Sequence, residues 1–250
     1  MNDIELIENI KEIGFLLLKN GAEIYRVEES IKKMCKGMGF TNVEVFVIPT
    51  FFSISVTLLD GTPYTTTKRS RKTKPHLDHL YTLNDITRKI SNNEMKREDI
   101  PNSINSLKNH KYHQPLILLG YIISAASFSV FFKGGLKEMI AGAIIGLILY
   151  IATYMQELVN VNSIAKTTFS SMLLATMAIL FQRYGLIDNS QAVITGTLMI
   201  LVPGIAITNS LRDIIGGDYV SGVSRLGEAI FIAASIAVGV GIMMIILGGM

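Results

Sequence analysis

The charged residues best placed to do chemistry follow an apolar segment that a proline interrupts. Pro203 and Gly204 fall inside an apolar run at about residues 192–207, and a proline in a helix removes one backbone hydrogen bond and clashes with the preceding turn. An interrupted helix beside ionisable groups is typical of transporters, which build a polar site from the broken ends. A proline-kinked helix followed by an ordinary aqueous loop fits the same residues. Five of the twelve charged residues after position 114 follow this break: Arg212, Asp213, Asp218, Arg225 and Glu228.

Three other groups of reactive side chains occur nearer the start of the chain. His76, Asp78 and His79 are metal-type ligands, but no further His or Cys clusters with them, which favours a polar helix start over a metal site. Cys35 is predicted to be a buried structural thiol. A run of five cations favours a solvated or membrane-facing loop over nucleic-acid binding. These cations are Lys68, Arg69, Arg71, Lys72 and Lys74. We therefore expect no catalytic residue, no metal and no cofactor.

The charged residues are distributed unevenly along the chain. The whole chain has a mean hydropathy of +0.41 and 17% charged residues, against about 25% in a typical soluble protein. Of its 43 charged residues, 31 lie in positions 1–114. A net charge of +3 argues against a nucleic-acid-binding protein, and a single cysteine argues against a disulfide-stapled fold. The composition indicates a membrane protein that carries an aqueous amino-terminal domain.

Residues 1–112 are predicted to form an α+β domain of order α-α-β-β-β-α-α. Apolar residues recur every three to four positions in the two amphipathic helices at the start, and then alternate with polar residues from Val43 to Leu58, which is typical of strands. Asp60 and Gly61 predict a hairpin, since both adopt the positive φ of a tight turn cheaply. This order predicts an antiparallel sheet with helices on one side.

Residues 113–250 are predicted to form a bundle of five transmembrane helices, which makes the chain a multi-pass α-helical membrane protein. Each apolar segment approaches the roughly 20 residues that cross a bilayer. The acidic start of the chain does not resemble a signal peptide, and four cations before the first span (Lys96, Arg97, Lys108 and Lys111) favour an amino terminus inside the cell. The predicted spans are about 115–132, 139–155, 165–181, 192–207 and 229–247.

Two stretches of the chain resemble the threonine/serine exporter family. The first runs from Leu201 to Ala229 and reads LVPGIAITNSLRDIIGGDYVSGVSRLGEA; the second runs from Gly21 to Glu29 and reads GAEIYRVEE. Pro49 and Thr50, before the second strand, also resemble the family pattern. The resemblance extends over nearly the whole chain and favours the transporter interpretation of the broken helix.

The resemblance implies a cytoplasmic amino-terminal domain ahead of a bundle in the cell membrane. It also implies export of a small hydrophilic metabolite, threonine or serine in full-length members, driven by the proton-motive force. This chain has one set of five predicted spans, whereas long members have two, so it resembles the larger half of the split form. In that form a second small membrane protein supplies the remaining helices, and some pairs are associated with export of a dicarboxylate such as succinate. A homo-oligomer is the alternative.

The resemblance also implies roles for individual residues. Pro203, Gly204 and Gly217 belong to the motif at the break, and Asn209 would make a polar contact. Arg212 and Arg225 would bind a substrate carboxylate through paired hydrogen bonds. Asp213, Asp218 and Glu228 would carry protons or form ion pairs, and an Arg225–Glu228 salt bridge on one helix is an equal alternative. Four residues of the amino-terminal motif match the family without a stated mechanism: Gly21, Glu23, Arg26 and Glu29.

A second hypothesis makes the bundle only an anchor. The aqueous domain would then sense a ligand or hydrolyse a substrate, using His76, Asp78 and His79. No recognisable catalytic constellation supports this alternative, and a simple anchor has no need of a broken, polar fourth span.

Overall fold

The computed structural model describes residues 2–70, 75–108, 113–159 and 161–248. Arg71, Lys72 and Lys74 of the basic run, and Lys111 among the cations before the first span, lie outside these residues. The chain folds as two compact units. The first contains Met1–His110 and Ile205–Leu226, and the second contains Lys111–Gly204 and Gly227–Met250.

The first unit contains the predicted order of helices and strands. Helices α1 (Asp3–Lys19) and α2 (Ile24–Gly37) precede strands β1 (Thr41–Ile48), β2 (Phe51–Thr57) and β3 (Pro63–Arg69). Helix α3 (Leu77–Ser91), a 3-10 turn (Arg97–Asp99) and α4 (Ile100–Lys108) follow. The predicted order α-α-β-β-β-α-α is thus confirmed.

The sheet is antiparallel in the order β1-β2-β3. Val45 lies opposite Ile54 and Val47 opposite Phe52, and these side chains are buried in one hydrophobic core with the apolar faces of the helices. Gly61 has a φ of +86° in the turn between β2 and β3, as the hairpin prediction requires. Burial of the apolar residues of both the sheet and the helices stabilises this unit, because each large apolar side chain removed from water contributes about 1.5–3 kcal/mol.

Four of the described helices are long and apolar enough to cross a membrane. They are α5 (Gln114–Phe131), α6 (Leu136–Leu158), α7 (Ser163–Arg183) and α10 (Tyr219–Gly248). Glycines allow close helix approach in the second unit: a side chain at Gly142 or Gly146 of α6 would collide with α5, and one at Gly239 of α10 with α7. Such contacts between small residues are typical of membrane bundles.

The fourth predicted span, at residues 192–207, is not confirmed, so the five predicted spans are not all present among the described helices. These residues form a short helix α8 (Ser190–Leu198), a non-helical stretch, and the beginning of α9 (Gly204–Ile215). The proline explains where α8 ends, since the ring of Pro203 would clash with the carbonyl of residue 199, four positions earlier, in a continuous helix. The last span also differs from prediction, because α10 begins at Tyr219, ten residues before the apolar segment.

Candidate functional site

The two family-like stretches meet within the first unit. The turn between α1 and α2 contains Gly21–Glu23, and it contacts α9 and the first turns of α10. Gly21 has a φ of +89°, a conformation that glycine adopts without strain, so the chain can leave α1 and enter α2 within four residues. The backbone carbonyl groups of this turn can therefore bind polar side chains.

Two side chains bind carbonyl groups of the turn. The Asn209 side-chain amide donates to the Gly21 carbonyl at 2.9 Å, and Nη2 of Arg225 donates to the Ala22 carbonyl at 2.9 Å. Arg225 is buried although it is charged, so its burial requires compensating partners. These bonds join positions that are about 190 to 200 residues apart in sequence.

Glu23 of the turn and Ile24, the first residue of α2, bind charged side chains of α9. Arg212 forms an ion pair with the Glu23 carboxylate, which also lies 3.2 Å from Nε of Arg26. The Ile24 amide donates to Oδ1 of Asp213 at 3.2 Å. Since Glu23 provides no side-chain cap to α2, Asp213 caps that helix from α9. We call this group of contacts the polar cluster; it consists of Gly21–Ile24, Asn209, Arg212, Asp213 and Arg225.

Asp213 is the most deeply buried charged side chain of the polar cluster. Its side chain is fully buried, and its Oδ2 lies 3.4 Å from Nε of Arg225 but accepts no hydrogen bond from the described residues. Burial raises the pKa of Asp213; the charge of Arg225 opposes this shift, while the charges of Asp218 and Glu23 reinforce it. An ionised Asp213 is therefore held at a cost in this position, which makes it the best candidate for a proton carrier.

Residues at the α9–α10 junction shape the cluster. Gly217 has a φ of +93°, and the Asp218 amide donates to the Asp213 carbonyl at 2.9 Å, so the chain turns sharply into α10. Gly222 packs directly on α9, where a side chain would collide with Ile214. Burial raises the pKa of Glu28, and the negative charge of Asp218 adds to this shift.

Several predicted site residues lie outside the polar cluster. Pro203 lies in the non-helical stretch before α9, and Gly204 begins that helix. Glu29 is exposed and pairs with Lys33 at 2.7 Å, and Glu228 is exposed on α10. Among the described residues, the carboxylate that pairs with Arg225 is Asp213, at 3.4 Å; Glu228 is the alternative partner that the sequence suggested.

Sequence reasoning missed one buried carboxylate of the second unit. Glu138, in the first turn of α6, accepts hydrogen bonds from the backbone amides of Gly135 at 2.7 Å, Asp188 at 2.9 Å and Asn189 at 3.0 Å. It thereby ties the α5–α6 connection to the α7–α8 connection. A lone acidic residue at the edge of an apolar segment was the available signal.

The other reactive groups fit no metal or nucleophile site. The described residues contain no group of three or more His, Cys, Asp or Glu side chains that could hold a metal ion. His76 and His79 stack with ring centroids 3.6 Å apart. Cys35 is buried, and burial raises its thiol pKa to about 12, so the reactive thiolate form is suppressed.

Comparison with known proteins agrees with the two motifs. The model of the threonine/serine exporter family (ThrE) matches residues 9–247. The protein named "Probable succinate transporter subunit YjjP" of Klebsiella aerogenes is 22% identical over 241 residues, which cover 92% of this chain and 89% of that protein. No solved structure matches the chain significantly. Because the family model spans both units, the chain belongs to the threonine/serine exporter family.

Proposed function

We propose that this chain is a subunit of a secondary transporter that exports a small hydrophilic metabolite through the cell membrane. The observation that carries the proposal is the polar cluster, in which two arginines and a buried aspartate directly follow a broken apolar segment. Membership of the family supports transport over catalysis. The four long apolar helices support a multi-pass membrane protein, and the Lys and Arg residues before α5 support a cytoplasmic amino-terminal domain.

Arg212 and Arg225 are the proposed partners of a substrate carboxylate. In the structure each guanidinium already binds a carboxylate of the chain itself, Glu23 or Asp213. A substrate carboxylate therefore has to replace one of these internal partners. We propose that export alternates between a state with the internal ion pairs and a state in which the substrate takes their place.

Proton coupling is proposed to act through Asp213. Protonation would remove the charge that holds Arg225 and weaken the acceptor at the start of α2. Both effects favour release of the α1–α2 turn from α9. The fully buried position supports this role, as does Oδ2, which accepts no hydrogen bond from the part of the chain that the structure describes. Asp218 and Glu228 are the other proposed proton carriers.

The substrate is proposed to be threonine, serine or a dicarboxylate such as succinate. The relative from Klebsiella aerogenes is named as a succinate transporter subunit, which supports both a dicarboxylate and a partner. We therefore propose that a second small membrane protein completes the transporter; a homo-oligomer is the alternative.

The test is metabolite efflux from cells that lack the chain, contain it, or contain it with the candidate partner. Arg212→Ala should reduce efflux to the level of cells lacking the chain, while the protein stays in the membrane. Arg88→Ala is the matched control, since Arg88 is exposed and pairs only with its helix neighbour Asp85 among the ion pairs described. Normal efflux from the Arg212 variant would sink the proposed role of this arginine.

A further inference from the structure

We propose that the first unit contains a second binding site, for a small carboxylate anion, in a cavity between the end of α1 and the beginning of α3. The cavity has a volume of about 230 Å³. Pockets for drug-sized ligands measure about 300–1,000 Å³, so this one suits a metabolite of fewer atoms. It is built entirely from residues of the first unit.

The side chains that line this cavity combine an apolar floor with cationic and polar groups. Leu16, Leu83 and Leu107 are buried beneath it. Their apolar surface excludes water from one side of a ligand and strengthens electrostatic contacts on the other. The polar groups at the cavity are Lys19, Asn20, His76 and His79.

The charges of the lining select an anion. Lys19 is a cation, the two imidazoles can each donate a hydrogen bond, and none of the seven lining residues is acidic. His76 and His79 stack at 3.6 Å, which brings two ring edges to one small volume. A carboxylate can accept bonds from an ammonium and an imidazole together through its two oxygens.

The position of the cavity connects it to the polar cluster. Asn20 lines the cavity and directly precedes Gly21, whose carbonyl Asn209 binds. The His76 amide donates to the Asn20 carbonyl at 3.2 Å, and Pro75 packs against Gly21. A ligand in the cavity therefore touches the segment that carries the α1–α2 turn. Occupancy of this site would bias the turn toward one conformation and so regulate the cluster.

The test is calorimetric titration of the full chain, purified in detergent, with succinate, L-threonine and the neutral isostere succinamide. We expect heat from at least one carboxylate and none from succinamide. Lys19→Met should weaken binding about tenfold, the usual effect of losing one charge-assisted hydrogen bond. Lys33→Met is the matched control, because Lys33 lies on the exposed face of α2 away from the cavity and should leave affinity unchanged.

Two further variants test whether the carboxylate binds in the cavity or in the polar cluster. His79→Ala should weaken the part of the binding that depends on Lys19, whereas Arg212→Ala should leave that part in place, because Arg212 belongs to the polar cluster and not to the cavity. Absence of heat with both carboxylates would overturn the proposal. So would binding that survives Lys19→Met and disappears with Arg212→Ala, since that result would place the carboxylate in the polar cluster. This experiment measures binding and not efflux. A negative result would therefore overturn the cavity site alone, and the proposed transport function would still be tested by efflux.

Discussion

Two buried carboxylates, Glu138 in the second unit and Asp213 in the first, differ in how they are held. Glu138 accepts three backbone N–H groups, two on one oxygen and one on the other. Asp213 accepts one backbone N–H on Oδ1, and its Oδ2 is held, among the described residues, by the ion pair with Arg225. The first carboxylate is saturated with hydrogen bonds, and the second is not.

This difference separates structural stabilisation from a capacity to switch. Neutral backbone donors that converge on a carboxylate favour its charged form and gain nothing from its protonation. A carboxylate paired with a single buried cation loses its main partner interaction when it is protonated, and burial favours that protonation. Glu138 therefore stabilises the contact between the α5–α6 and α7–α8 connections. Asp213 binds the α1–α2 turn through interactions that protonation weakens.

The largest expected effect comes from removing the cation of the buried pair. Arg225→Ala leaves Asp213 buried without its counterion and the Ala22 carbonyl without its donor, which should lower the free energy of unfolding by about 3 kcal/mol at neutral pH. Thermal and urea unfolding of the full chain in detergent measure this change. The double variant Arg225→Ala/Asp213→Asn is the control, and it should recover much of the loss. If Arg225→Ala is as stable as the wild type, the pair does not hold the turn.

A smaller loss is expected for the isosteric change at the saturated carboxylate. Glu138→Gln replaces one acceptor oxygen by an NH₂ group that faces a backbone N–H donor, so at least one of the three bonds is lost at a cost of about 1–3 kcal/mol. The matched control on the same helix is Glu157→Gln, at a partly exposed ion pair with Lys166, with an expected change below about 0.5 kcal/mol. Equal stability of the two variants would show that the hydrogen bonds of Glu138 do not stabilise the fold.

Local sequence patterns predicted the elements of the first unit and missed the arrangement of the last third of the chain. Alternation from Val43 to Leu58 and the Asp60-Gly61 turn are encoded by neighbouring residues, so they can be seen without a structure. The apolar composition of residues 192–207 predicted one span, because the mean hydropathy of such a segment hardly changes when one of its residues is a proline. The polar residues after Ile215 suggested a loop, although nothing in their backbone chemistry prevents the helix that forms.

The site was predicted as residues but not as an arrangement. Both motifs were recognisable, yet periodicity does not indicate which faces of distant elements meet, so the contact between Gly21 and Asn209 could not be foreseen. For the same reason Arg225 was matched with Glu228, its neighbour on the helix, and not with Asp213. Burial determines the long-range partner, because Asp213 and Arg225 are both buried and lie 3.4 Å apart.

The pH dependence of stability sharpens the contrast at Asp213. A carboxyl whose folded-state pKa is raised contributes stability that is fully present below the unfolded-state pKa, about 3.9 for Asp, and lost as pH rises through the folded-state value. The wild-type free energy of unfolding, minus that of Asp213→Asn, should therefore fall with rising pH above about 3.9. The contributions of the other carboxylates are common to both proteins and cancel in this difference. At neutral pH, Asp213→Asn should lower the free energy of unfolding by less than Glu138→Gln does. A flat difference would mean that Asp213 does not titrate with folding.

The smallest effect is expected where a motif residue makes no contact with the polar cluster. Glu29 matches the family as Glu23 does, but it is exposed and pairs with Lys33 one helical turn away. Glu29→Gln should cost about 0.3–0.5 kcal/mol, the usual value of an exposed pair four residues apart, and should leave efflux unchanged. Glu23→Gln should by contrast reduce efflux, because it weakens the bond to Arg212. Loss of efflux in the Glu29 variant at normal stability would show that the functional surface extends along α2 beyond the turn, toward a partner that binds there.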